Sequence, residues 1–166
     1  MLNLTLSSTQ EALEDLSKAS VLRGKPDAVV AQNLARAREL NGQFVQVDRQ
    51  YGLAISMTSN EVNPFWLCSA LVKLQLGDVK DGFDLMKCAE NRFPDAPEVK
   101  AAYAVFLAAQ GDLVAAQQKY LGIPDRPRSN YTDLTYLKKI VAWPPKVIEL
   151  LGKVSSAAGD GAATVL

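Results

Sequence analysis

The chain contains no histidine, only two cysteines, and no excess of charge of either sign. The missing histidine removes the usual general base near neutral pH and the commonest zinc ligand, so neither a Ser-His-Asp nor a Cys-His mechanism is open to it. Carboxylate, lysine or thiolate chemistry remains compatible with the composition. Cys68 and Cys88 are too few to serve as a disulfide framework. Eighteen Lys and Arg balance eighteen Asp and Glu, so no long-range field favours nucleic acid or an anionic membrane. The densest basic stretch, Lys119 to Lys153, interleaves its cations with Asp125, Asp133 and Glu149 and reads as a solvated face. No run approaches the roughly 20 apolar residues that span a bilayer. Met1 to Leu6 lacks the basic start and sustained apolar run of a signal peptide, so a cytoplasmic setting without membrane insertion is expected. Glycine-rich phosphate loops are also absent, and neither a metal nor a cofactor is expected.

What is present is helical spacing. A chain of 166 residues that is 48% apolar can bury one core, and residues 1–153 are expected to form a single all-α domain. Ala12, Leu13, Leu16 and Ala19 place an amphipathic helix at 8–22, ended by Gly24-Lys25-Pro26. A second helix is expected up to Leu40 and a third from Gln43 to Met57, with Gly42 between them. Asn63-Pro64 opens the next.

Leu76-Gly77-Asp78-Val79 then returns as Gln110-Gly111-Asp112-Leu113, a Gly-Asp pair repeated at a spacing of 34 residues. Each pair lies between two apolar helical segments. Glycine takes the left-handed conformation that ends one helix, and aspartate accepts the free amides that open the next. The expected unit is a tight helix-turn-helix of fixed period.

With these residues the chain resembles the tetratricopeptide repeat family, whose unit is 34 residues in two antiparallel helices. In a frame starting at Asn63, Trp66 falls on the aromatic position, Ala70, Gly82 and Ala89 on the small packing positions, Gly77 at the turn and Pro94 near the end. In the next frame, from Pro97, Tyr103, Ala104 and Leu107 fill the first helix, and Gly111, Ala116 and Tyr120 match the turn, the small residue and the second-helix aromatic. A weaker copy from Ala28 places Leu34, Ala35, Gly42, Tyr51 and Ala54 correspondingly, with one extra residue in the following loop. Departures are Asp48 beside the small position at Val47, and Met86 in place of the aromatic. After Ser129 the pattern dissolves. The resemblance implies a right-handed superhelical stack of antiparallel helix pairs, with repeats near 28–62, 63–96 and 97–130 and capping helices at 8–22 and 131–153. Caps are needed because a terminal repeat otherwise exposes an apolar face. Residues 154–166, rich in Ala and Gly, are expected to be a flexible tail.

In this family the first helices of each pair line a concave surface that usually holds the ligand. Carried over, the lining is Leu67, Cys68, Leu71, Leu74 and Gln75 from one unit and Glu98, Ala101, Ala102, Val105, Ala108 and Ala109 from the next. The Lys/Asn/Arg clamp by which some members grip a C-terminal carboxylate is missing. A shallow apolar trough with a polar end suits an amphipathic helix or an extended segment with apolar anchors. Three occupants are open: a protein partner, this chain's own N- or C-terminal residues, or a second copy in a homodimer. The expected function is therefore protein binding without catalysis, as adaptor or cytoplasmic chaperone. Size and architecture are similar to those of bacterial type III secretion chaperones of the tetratricopeptide class. The alternative is a self-associating or obligate structural subunit with a scaffold role.

Overall fold

The computed structural model describes residues 28–58 and 61–159, together with Glu11, Asp15 and Lys18. The helix expected at 8–22 lies, but for those three residues, outside the described residues. Among the described residues the protein is all-helical, without strands. No helix is long and apolar enough to cross a membrane. The chain divides into two compact units, Met1–Phe65 and Trp66–Leu166.

From residue 28 on, the described part of the first unit holds the helix pair α1 (Ala28–Leu40) and α2 (Phe44–Met57). Leu34 and Ala35 of α1 and Val47, Tyr51 and Ala54 of α2 are buried. The Tyr51 ring stacks on Phe65, with centroids 6.1 Å apart. Glu39 is buried too, and its carboxylate is satisfied by Tyr51 Oη at 3.3 Å and Arg36 Nη1 at 3.1 Å. A buried carboxylate without such partners would be strongly disfavoured.

The second unit holds two further pairs, α3 (Phe65–Leu76; Phe65 itself falls in the first unit) with α4 (Val79–Arg92), and α5 (Pro97–Ala109) with α6 (Leu113–Leu121). Each of the three pairs turns in the same way. Gly42, Gly77 and Gly111 have φ of 71°, 93° and 89°. In each turn the residue after the glycine donates its N–H five residues back: Gln43 to Arg38 O, Asp78 to Lys73 O and Asp112 to Leu107 O. This glycine-closed bond satisfies carbonyls that the helix end would leave bare. Asp78 and Asp112 then accept the N–H of Asp81 and Ala115 at 3.3 and 2.9 Å, opening the next helix. The repeated Gly-Asp of the sequence is thus a repeated piece of backbone geometry.

Packing repeats along with the turns. The positions of Ala35, Ala70 and Ala104 in the first helices are fully buried, and so are Val47 and Ala116 in the second ones. Gly82 explains why the position must be small. A Cβ there would stand 3.0 Å from Ala70 O and 3.0 Å from Phe106 Cε1, so α3, α4 and α5 meet where α4 has no side chain. Phe83 packs on Tyr103 and Phe106, with centroids 5.3 and 5.9 Å apart. Lys119 of α6 pairs with Glu90 of α4 and lies 4.7 Å from the centre of the Tyr103 ring, tying α4, α5 and α6 together at the surface.

After α6 the helical period stops. Arg128 donates to Ile123 O at 2.8 Å and pairs with Asp125, closing the short α7 (Asp125–Arg128) beneath the end of α6. The first part of the capping region expected at 131–153 is instead a 3₁₀ turn at Ser129–Thr132 and a π turn at Tyr136–Ile140. Asp133 causes part of this difference, because its side chain takes the Thr135 N–H at 2.7 Å and restarts the chain. The last helix, α8 (Pro145–Ala157), runs beyond Lys153, where its end was expected. Residues 154–157 stay helical because Val154 continues the buried stripe of Val147 and Leu151.

Candidate functional site

The lining carried over from the sequence is brought together in the second unit. Leu67, Leu71 and Leu74 of α3 and Ala101, Ala102 and Val105 of α5 belong to one core cluster and are buried. Cys68, Gln75, Glu98, Ala108 and Ala109 are partly exposed. These residues are covered within the chain. The same cluster contains Tyr131, Leu137, Trp143, Val147, Leu151 and Val154, and α8 packs against both α5 and α6. The buried part of the lining is therefore packed together with this chain's own C-terminal segment. Leu71 is 1% exposed and Val105 0%, so a charge placed at either would break the core rather than report on binding.

The cover is amphipathic. Val147, Leu151, Val154 and Ser155 face the core, while Lys146, Glu149 and Lys153 are exposed. Lys153 binds Glu149 at 2.8 Å on the solvent side, which holds the Glu149 carboxyl below its usual range. Such an exposed pair adds little to stability.

Two hydrogen bonds fasten this segment to polar side chains of the lining. Trp143 Nε1 donates to Glu98 Oε1 at 3.2 Å, and the Lys146 backbone N–H donates to Gln75 Oε1 at 2.9 Å. Gln75 and Glu98 are the two long polar side chains of the carried-over lining, and both are engaged by the chain itself. Tyr131 completes the anchor. Its ring lies 5.9 Å from that of Trp143 and meets Tyr136 edge-on at 5.8 Å. Burial pushes the Tyr131 phenol well above its ordinary value, and the Glu98 carboxylate and Tyr136 add to the shift.

The sequence reading missed Trp143, Tyr131 and Tyr136 as parts of this site. The available signal was their clustering just ahead of Pro144-Pro145 and an apolar i, i+4, i+7 stripe. Between the anchor and α8, Ala142 adopts φ 49°, a left-handed conformation that costs a residue with a Cβ about 1 kcal/mol or more. That bend lets the Trp143 N–H reach Leu137 O at 2.8 Å while Val141 N–H reaches Tyr136 O at 3.1 Å.

Chemically the site offers shape and apolar surface. Among the described residues, no group of three or more His, Cys, Asp or Glu side chains is placed to hold a metal ion. The chain matches no family model, no curated protein and no solved structure.

Proposed function

We propose that this protein is a tetratricopeptide-like interaction module that binds an apolar helix of a partner protein in the α3/α5 groove, as an adaptor or cytoplasmic chaperone, once the C-terminal cover is displaced. The observation that carries the reading is the groove's occupant. An amphipathic helix seated on α5, with its preceding tryptophan and first-turn N–H hydrogen-bonded at Glu98 and Gln75, displays the ligand chemistry that the surface accepts. The repeated turns and buried small positions support a right-handed stack of helix pairs as the scaffold. Stacked repeats of this kind work by presenting surfaces, so the role is non-catalytic. Partner binding is then a competition in which the cover's own affinity sets a threshold.

The test uses the rim of the groove and leaves its core intact. Gln75→Cys and Lys146→Cys, in a chain with Cys68→Ala and Cys88→Ser, allow the cover to be locked with a short cleavable thiol crosslinker. Protein captured from its native cell should retain a partner when unlocked, lose it when locked, and regain it after cleavage. A partner held equally by both forms would place binding on another surface and sink the groove reading.

A further inference from the structure

The segment that fills the groove is attached through a turn that is poorly suited to staying closed. Ala142, at φ 49°, is the one non-glycine residue with positive φ among the described residues. This conformation disfavours an L-residue by about fivefold or more. Ahead of it, Tyr136–Ile140 forms a π turn, a rare geometry, closed by the local bonds Val141 N–H to Tyr136 O and Trp143 N–H to Leu137 O. After Trp143 come Pro144 and Pro145, which fix φ and hold the following chain ready to start α8 wherever it docks. On either side of this turn the structure is well packed. Tyr131 and Leu137 lie buried before it, and Trp143, Val147, Leu151 and Val154 after it.

We infer that the segment Trp143–Ala157 exchanges between two copies of this chain, each copy's segment filling the other's groove, with Lys138 to Ala142 as the hinge that opens. In the exchanged dimer the segment's contacts with the rest of the unit are remade, Trp143 with Glu98, Lys146 with Gln75, and the Val147/Leu151/Val154 helix with α5 and α6, while the hinge bonds Val141 N–H to Tyr136 O and Trp143 N–H to Leu137 O pass to water. Because the interfaces are the same, the balance is decided by association and by the hinge. Association costs translational freedom, which favours the monomer in dilute solution. Opening the hinge releases the left-handed Ala142 in both chains, which favours the dimer. The monomer therefore gives way as concentration approaches the effective concentration of a tethered segment, on the order of millimolar, lowered by the strain released. The inference deepens the proposed reading by taking the groove as a receptor for an amphipathic helix and naming a second copy's segment as its occupant. It stands separately from the capture of any other protein.

Two measurements test it. In the first, the wild-type chain and Ala142→Gly are followed by light scattering from micromolar to millimolar concentration. Wild type should show a dimer that grows with concentration, and the glycine variant, relieved of strain while closed, should show at least about fivefold less. In the second, the dimer of the Gln75→Cys, Lys146→Cys chain with its native cysteines replaced is isolated, diluted and then bridged with a short thiol crosslinker. Exchange yields a covalent species of twice the 18.0 kDa chain on a denaturing gel. A wild-type chain that stays monomeric throughout, or a dimer whose bridges all remain within one chain, would overturn the proposal. Failure of the locked protein to release a partner would count against partner capture alone and leave this result unchanged.

Discussion

Gly82 stands where an added methyl group would lie 3.0 Å from the backbone oxygen of Ala70 and 3.0 Å from the ring of Phe106. The relationship joins three helices of the second unit at one point, and neither neighbour has room to give. Phe106 is fully buried, and Ala70 O belongs to the backbone of α3. In a helix interior glycine is disfavoured, so its use at this place is explained by the close approach alone.

Gly82→Ala should therefore lose stability although alanine is the better helix former. Overpacking of about 1–3 kcal/mol outweighs a propensity gain of about 1 kcal/mol. Gly52→Ala and Gly152→Ala are the controls, since a Cβ at either meets nothing within 4 Å. Chemical denaturation should show the first variant weakened and the other two strengthened. Equal gains in all three would mean that the contact at Gly82 is not tight.

The turns respond to a different rule. At Gly111 there is open space for a Cβ, but φ is 89°. Gly111→Ala should cost about 1 kcal/mol or more from backbone conformation. Asp112→Ala should cost about 1 kcal/mol from the lost cap on Ala115. If the repeated turn is as described, Gly77→Ala and Asp78→Ala will give the same two losses.

At the anchor, Trp143→Phe removes the donor to Glu98 while keeping most of the buried ring. Glu98→Gln keeps an acceptor but removes its charge. The single replacement of Trp143 by Phe should cost about 1.5–3 kcal/mol, as for a hydrogen bond to a charged group, and replacement by Ala about 3–5 kcal/mol. A double-mutant cycle of Trp143→Phe with Glu98→Gln should show coupling, because the charge-assisted form of the bond needs both the indole N–H and the carboxylate. Strict additivity would dismiss the contact as energetically idle.

The Tyr131 phenol supplies a pH dependence whose sign is fixed. Its proton is held more tightly in the folded chain than at the ordinary value of 10.0. Above that pH the unfolded chain releases the proton first, so the native state binds more protons and loses stability as pH rises. The contribution is whole below about pH 10 and declines above it. Tyr131→Phe should flatten the alkaline limb of a stability-against-pH curve measured by denaturation. A variant as alkali-sensitive as wild type would assign that limb to other groups.

Much of the fold was legible from local chemistry. Gly77-Asp78 and Gly111-Asp112 announced their turns because a left-handed glycine and a capping aspartate act within a few residues. Helix limits followed for the same reason. Gln43 to Met57 was expected, and α2 spans Phe44–Met57. The region after Ser129 was not legible as a helix-breaking turn, because its π turn depends on where Tyr131, Leu137 and Trp143 are buried. The end of the last helix was placed too early, since alanine-rich chain after Lys153 looks loose until Val154 is seen to have a core to enter.

The sequence by itself determined that this protein is built of helices, where its three glycine turns lie, and that its chemistry has no histidine to work with. It also selected the apolar residues of α3 and α5 that lie together. Only the tertiary structure decided what covers them. A periodic pattern reports which face of a helix avoids water, but every apolar face in the chain makes the same demand. The choice among possible mates rests on shape and on a few polar bonds between residues far apart in the chain, such as Trp143 with Glu98 and Lys146 with Gln75. Those contacts form only after folding has brought distant segments together, so no local window of the sequence contains them.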